Sequence, residues 1–92
     1  MNRSQLVEAV ASASGLRTYD ADQALAAALE AIAAAVARGE SVTLAGFGTF
    51  ERRSRAARTG RNPRTGASME IPASLAPAFK PAAGFRQRVA EA

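Results

Sequence analysis

Six arginines crowd into a short stretch of this chain, Arg52, Arg53, Arg55, Arg58, Arg61 and Arg64, and no acidic residue interrupts positions 52 to 69. A guanidinium group is always charged, offers a flat fork of donors that fits phosphate oxygens, and is weakly hydrated enough to enter a narrow groove. The chemistry implied is capture of a polyanion. The whole chain carries a net charge of +4, but residues 1–51 hold three basic side chains against six acidic ones, and residues 52–92 hold nine against two. A slightly acidic body joined to a concentrated basic element is the charge footprint of a nucleic-acid partner.

Other chemistry finds little support. Histidine and cysteine are both missing, which removes the usual neutral-pH acid–base group, the thiolate nucleophile and any ordinary zinc site. The carboxylates are scattered over helical positions, and Ser54 and Ser68 have no base nearby in sequence. The expectation is a binding protein, with neither enzymatic activity nor metal or other cofactor.

Within the basic segment, Pro63-Arg64-Thr65-Gly66 has turn chemistry, a proline whose fixed φ suits the turn and a glycine at its end. Residues 51–72 are so poor in apolar side chains that they cannot pack a core, and two readings stand: a disordered loop, or a β-ribbon folded at Pro63–Gly66. In a ribbon, strict alternation would place Arg53, Arg55 and Arg61 on one face and Arg58 on the other. Pro63 at the tip of a cationic arm would be a rigid apolar wedge, able to part a base step from the minor groove.

The elements that must carry this arm read as follows. Asn2 and Gln5 suit a capping box, Leu6, Val7 and Val10 recur at helical spacing and Gly15 supplies a stop, which predicts a helix over about 3–14. Thr18 suits the N-cap of a second helix, with Asp20 and Asp22 in its first turn, where the helix dipole favours negative charge. Leu25, Leu29, Ile32 and Val36 then form one narrow stripe on a helix ending at Gly39. Alanine fills most of its other faces, so the stripe needs a partner surface, and a second copy related by a two-fold axis would supply one. Without disulfides, a chain of 92 residues hides only ~60–65 % of its unfolded surface, which also favours a dimer.

Val42-Thr43-Leu44 reads as a strand, Gly46-Phe47-Gly48 as a tight connection, and Thr49-Phe50 as the start of a second strand. The chain's phenylalanines, Phe47, Phe50, Phe79 and Phe85, are expected to anchor the sheet against the helical layer rather than to stack on bases. A short last helix follows Lys80-Pro81, with Phe85 and Val89 one turn apart. No apolar run approaches the ~18 residues that span a bilayer, and Met1-Asn2-Arg3-Ser4-Gln5 leads into an amphipathic pattern, so neither a membrane span nor a signal peptide is expected and the cytoplasm is the default location.

Gly46-Phe47-Gly48-Thr49-Phe50, then Arg55-Ala56-Ala57-Arg58-Thr59-Gly60-Arg61-Asn62-Pro63-Arg64-Thr65-Gly66, then Ile71-Pro72-Ala73 and Pro77-Ala78-Phe79-Lys80-Pro81, resemble the bacterial histone-like HU family over essentially the whole chain. HU is itself among the architectural proteins whose apolar wedges exchange base unstacking for a bent duplex that reaches more protein surface. The resemblance implies an α+β fold: an N-terminal helical hairpin, a three-stranded antiparallel sheet with a protruding β-ribbon arm, a short C-terminal helix, and an intertwined homodimer. It implies one domain over 1–92, with a helical dimerisation base at 1–39, the sheet at 40–81 with the arm at about 52–74, and the last helix at 82–92.

By that similarity Arg55, Arg58, Arg61 and Arg64 line the arm against phosphates and groove, Asn62 and Pro63 form the tip, and Pro63 intercalates. Arg3, Arg53, Lys80 and Arg86 occupy body positions suited to phosphate contact. Leu29, Ile32, Val36, Leu44, Phe47, Phe50 and Phe79 are the expected dimer core. The implied function is sequence-nonspecific binding and bending of double-stranded DNA, especially bent, nicked or distorted DNA, in a nucleoid-associated, compacting and protective role. RNA shares the phosphate charge and stays a candidate partner. The related integration host factor, which bends specific sites, is the competing reading, and Ala82-Ala83-Gly84 departs from the family's usual glycine–lysine pair after the proline. An acidic protein or an anionic membrane is the alternative of another class; the latter calls for a basic amphipathic helix, whereas these arginines sit in ribbon and turn chemistry.

Overall fold

A computed structural model describes residues 1–92, which form two compact units, Met1–Ala34 and Ala35–Ala92. In the first, helix α1 spans Arg3–Ser14. Its start is the reciprocal cap expected from the spacing: the Gln5 amide donates to Asn2 Oδ1 at 2.9 Å and the Asn2 amide to Gln5 Oε1 at 2.9 Å, so two otherwise orphaned donors are satisfied. Gly15, at φ 76°, turns the chain out of the helix and donates to the Ala11 carbonyl.

Helix α2 runs Thr18–Ala37. Here the sequence expectation is corrected by one residue. Thr18 lies inside the helix, its hydroxyl caps nothing, and the ladder opens at the Arg17 carbonyl, which accepts the Ala21 amide at 2.9 Å. The Arg17 side chain pairs with Asp20, Nε to Oδ2 at 3.0 Å, so the first turn carries an exposed ion pair and no hydroxyl cap. Val7 of α1 and Ala21 of α2 are the buried apolar residues of this unit. Leu29, midway along the stripe, is 49 % exposed.

The second unit opens on the end of α2. The Gly39 amide bonds to the Val36 carbonyl and the Glu40 amide to that of Ala35, both at 2.9 Å, with Gly39 at φ 89°. That pair of bonds around a left-handed glycine is a Schellman ending. One more orphan carbonyl, that of Ala37, receives Nη1 of Arg52 at 3.1 Å.

Strands β1 (Val42–Leu44), β2 (Gly48–Arg55) and β5 (Ser74–Pro81) form an antiparallel sheet in the order β1-β2-β5. Strands β3 (Arg58–Arg61) and β4 (Ser68–Ile71) form a separate two-stranded ribbon, and helix α3 spans Ala83–Ala90. Register fixes the faces of the three-stranded sheet. Val42 pairs with Phe50 and Phe50 with Phe79, while Thr43 pairs with Thr49 and Thr49 with Lys80. Side chains alternate across a strand, so one face is aromatic and the other polar.

On the aromatic face the four phenylalanines meet. Phe50 and Phe79 have ring centroids 4.7 Å apart, Phe47 and Phe79 5.4 Å, and Phe47 stacks on Phe85 at 4.9 Å. Gly46, at φ 77°, makes the β1–β2 turn, closed by the Phe47 amide on the Leu44 carbonyl at 3.0 Å. Gly48 is needed for a different reason: a Cβ there would lie 2.5 Å from the Phe79 ring and 2.6 Å from the Lys80 carbonyl. Gly48→Ala is expected to lose ~1–3 kcal/mol of stability, the usual range for an overpacked site, read as a lower urea midpoint with an unchanged slope. An unaltered midpoint would show that the ring can give way.

Candidate nucleic-acid interface

Strand β2 outlasts the apolar part of its sequence. It stays paired with β5 through Arg53↔Ala76, Ser54↔Leu75 and Arg55↔Ser74. Both strands then break at the same level, at Ala56-Ala57 and at Pro72-Ala73, where Pro72 has no amide to give to a ladder. Pairing resumes from Arg58↔Ile71 to Arg61↔Ser68. Of the two readings that the sequence left open, the structure has the ribbon. The break also means that strict alternation does not run from Arg55 to Arg58, as the sequence pattern alone had it. Within β3, Arg58 and Arg61 project from opposite faces, Arg58 beside Ile71 and Arg61 beside Ser68.

The ribbon has little core of its own. Gly60 is where a Cβ would come 2.9 Å from Ile71 Cδ1, so its missing side chain leaves room for the isoleucine. The tip is held by its own polar groups: the Asn62 amide donates to the Ala67 carbonyl at 2.9 Å, the Gly66 amide to the Asn62 carbonyl at 2.8 Å, and the Arg64 amide to Asn62 Oδ1 at 2.8 Å. The asparagine side chain thus mimics a backbone turn. Gly66 takes φ 70°, and Pro63 is left exposed between Asn62 and Arg64.

The basic residues singled out above fall into two sets. Arg55, Arg58, Arg61 and Arg64 are exposed and have no carboxylate within ion-pair distance; Arg86 of α3 is likewise unpaired. The other body cations are engaged. Arg3 Nη2 lies 3.0 Å from Asp22 Oδ1 within the first unit. In the second, Lys80 Nζ and Arg53 Nε both reach Glu51 Oε1, at 3.2 and 3.4 Å. The Lys80 hydrogen bond is the main cause holding the Glu51 carboxyl below its ordinary pKa, and Arg53 adds to it against a raising effect of partial desolvation. A depressed carboxyl stabilises the fold above its unfolded pKa, and that contribution is lost as pH falls through the folded value.

Two residues in the basic segment have roles that the sequence pattern did not reveal. Arg52 belongs to the cluster by position, yet its guanidinium is turned back to the end of α2 and packs over Gly39. Glu51 reads as one carboxylate among several, although its i, i+2 spacing from Arg53 on a strand is a usable sign of a shared face. Of the expected dimer-core residues, Leu44, Phe47 and Phe79 are 41, 45 and 38 % exposed in the single chain, whereas Val36 is buried and Ile32 and Phe50 half-buried.

No helix is long and apolar enough to cross a membrane. A model of the family described as "Bacterial DNA-binding protein" matches residues 1–90. The chain is 52 % identical over 89 residues to the DNA-binding protein HU of Geobacillus stearothermophilus, covering 97 % of this chain and 99 % of that one. It is 52 % identical over 90 residues to the DNA-binding protein HU of a Nostoc strain, covering 98 % and 96 %. Among solved structures, that of an Anabaena HU–DNA cocrystal matches over 100 % of both chains with a TM-score of 0.90 and 51 % identity. HU from Thermotoga maritima matches with a TM-score of 0.68 and 29 % identity over 97 % of this chain and 98 % of that one. With a ribbon of unpaired arginines rising from an antiparallel sheet, and with near full-length identity to these relatives, the chain belongs to the HU family of bacterial DNA-binding proteins.

Proposed function

We propose that this chain acts as a homodimer that binds double-stranded DNA without reading its sequence and bends it, compacting and protecting the nucleoid in the cytoplasm. The observation that carries the reading is the state of the arm: four arginines, all exposed and all without an internal counter-ion, run from the end of β2 along the β3–β4 ribbon to its tip, a segment too poor in apolar side chains to pack a core. Free guanidinium groups on a thin two-stranded element suit a narrow groove lined by phosphates. In this reading Arg55, Arg58, Arg61 and Arg64 enter the minor groove, Asn62 shapes the tip and Pro63 wedges a base step. Arg3, Arg53, Lys80 and Arg86 meet phosphates flanking the bend.

The exposed Leu29, Leu44, Phe47 and Phe79 support a dimer, since apolar side chains of this size gain ~1.5–3 kcal/mol each on full burial. Ile32, Val36 and Phe50 would complete its core, with residues 1–39 as the helical base, 40–81 as the sheet, its arm at about 52–74, and 82–92 as the last helix. Those names among the relatives that speak of DNA binding, and the solved HU–DNA cocrystal, favour DNA over an acidic protein or a membrane.

A mobility-shift series on random linear, nicked and four-way-junction DNA at two salt concentrations tests the reading, with sedimentation of the free protein giving twice the 9.5 kDa chain mass. Nicked and junction DNA are expected to bind tighter than linear duplex, because part of the bending cost is already met. A preferred site should compete no better than random duplex. A ratio of ~10³ or more would indicate a site-reading protein instead, and equal affinity for single-stranded RNA would remove bending as the function.

A further inference from the structure

The polar face of the three-stranded sheet holds a carboxylate where DNA binding calls for positive charge. Glu51 shares that face with Thr49 and Arg53 along β2 and with Lys80 across the sheet. One of its oxygens, Oε1, accepts from Lys80 Nζ at 3.2 Å and from Arg53 Nε at 3.4 Å. Its side chain is only 22 % exposed, against 61 % for Lys80 and 55 % for Arg53, so the acid is set low while its cations reach outward. Ala78 stands opposite Glu51 and Ala76 opposite Arg53. On the β5 side, then, only alanine methyl groups stand directly opposite Glu51 and Arg53.

A cation already held by a carboxylate has part of its charge neutralised and attracts a phosphate less strongly. For Lys80 or Arg53 to give its full charge to a DNA backbone arriving on this face, Glu51 has to be displaced from it. The carboxylate so released faces the same phosphates, repels them, and draws a solvent cation in compensation. That uptake offsets part of the counterion release that drives binding to DNA. The arm arginines carry no such penalty.

We infer that Glu51 is a built-in competitor with the phosphate backbone for Arg53 and Lys80, holding the affinity of the sheet face below what its cations would otherwise give. The inference rests on the DNA-binding reading above and assigns the strength of its body contacts to one residue. Glu51→Gln keeps the size and a hydrogen-bond acceptor and removes the charge. On a random-sequence duplex long enough to cross the body it is expected to bind ~5-fold tighter at ~0.15 M salt for each cation released, with a salt slope steeper by ~0.9 per additional phosphate neutralised. Glu51→Asp, which draws the charge back by one methylene, should fall between it and the parent protein. It also judges the idea if the glutamine variant does not fold, which thermal unfolding would reveal.

A purely structural role predicts the opposite sign, with lower melting temperature and weaker binding in both variants. In a background carrying Arg53→Gln and Lys80→Gln, Glu51→Gln should no longer steepen the salt slope, and its gain should shrink to what relief of simple repulsion gives. Equal or weaker binding by folded Glu51 variants, with the parent slope unchanged, overturns the inference and leaves the DNA-binding reading standing. Failure of the parent protein itself to bind duplex would bring down that reading, and the inference with it.

Discussion

Replacing Arg55, Arg58, Arg61 and Arg64 together by glutamine is expected to lower affinity for duplex DNA by on the order of 10³-fold or more at ~0.15 M salt. For every phosphate left without its arginine, the plot of log binding constant against log salt should also become less steep by ~0.9. The size of the effect follows from the state of these side chains in the free protein. They are exposed and spend none of their charge on internal carboxylates, so their full electrostatic attraction is available to the nucleic acid. For the same reason their removal should hardly touch the fold, within the ~0.5 kcal/mol typical of surface changes away from special features. A titration by fluorescence anisotropy at four salt concentrations, paired with a melting curve, reads both. Affinity within a few-fold of the parent, with the same slope, would show that the arm is not the electrostatic element.

The second large effect concerns geometry rather than affinity. Pro63→Ala should keep most of the binding to straight duplex and lose most of the bending, because it removes the wedge and leaves every charge in place. The turn itself should persist, since Asn62 closes it through its amide to Ala67, its carbonyl to Gly66 and its Oδ1 to the Arg64 amide, none of which involves the proline. The expected loss in stability is below ~1 kcal/mol, mostly from a freer unfolded chain. Parting a base step costs a few kcal/mol, and without a rigid apolar edge at the tip nothing offsets that cost. End-to-end energy transfer across a labelled duplex is the measurement. A variant that brings the DNA ends as close as the parent does would retire Pro63 as the wedge.

These two substitutions separate functions that one short segment combines, and the body cations add a third level of control. Arg3 and Lys80, which the family resemblance placed on phosphates, start out paired to Asp22 and Glu51. Surface pairs of this kind are worth little to stability, ~0–1 kcal/mol. Their larger consequence is on what the cations can offer a ligand. On this view the arms supply most of the initial attraction, and the sheet face engages only after its internal pairs have been exchanged.

Much of the architecture could be read from residue order because its causes are local. The Asn2–Gln5 box, the left-handed Gly15 and Gly39, and the Asn62–Gly66 turn each depend on a few adjacent residues whose backbone preferences or side-chain reach are intrinsic. Thr18 shows how far that goes: a good capping residue stands one place beyond the true cap position, Arg17, whose carbonyl opens the ladder and whose side chain pairs with Asp20. The narrow apolar stripe of α2 announced a missing partner surface for an equally local reason, since alanine cannot fill the space beside it. From composition the arm was legible only as a stretch that could not be core; its turn chemistry left the ribbon as one of two readings, and the family resemblance pointed to it.

The sequence by itself determined the two ends of α1, the glycine stop after α2, the tip turn, the excess of charge in the second half and the shortage of apolar side chains in the arm. Tertiary structure alone decided that β2 and β5 stay paired to Arg55↔Ser74 before the ribbon breaks, that Arg52 leaves the basic cluster to cap α2, and that Glu51 lies under Lys80 and Arg53. The physical reason is reach. Backbone preference and charge are properties of a residue and its near neighbours, whereas strand register and ion pairing join groups that are distant in the chain and depend on how the chain folds back on itself.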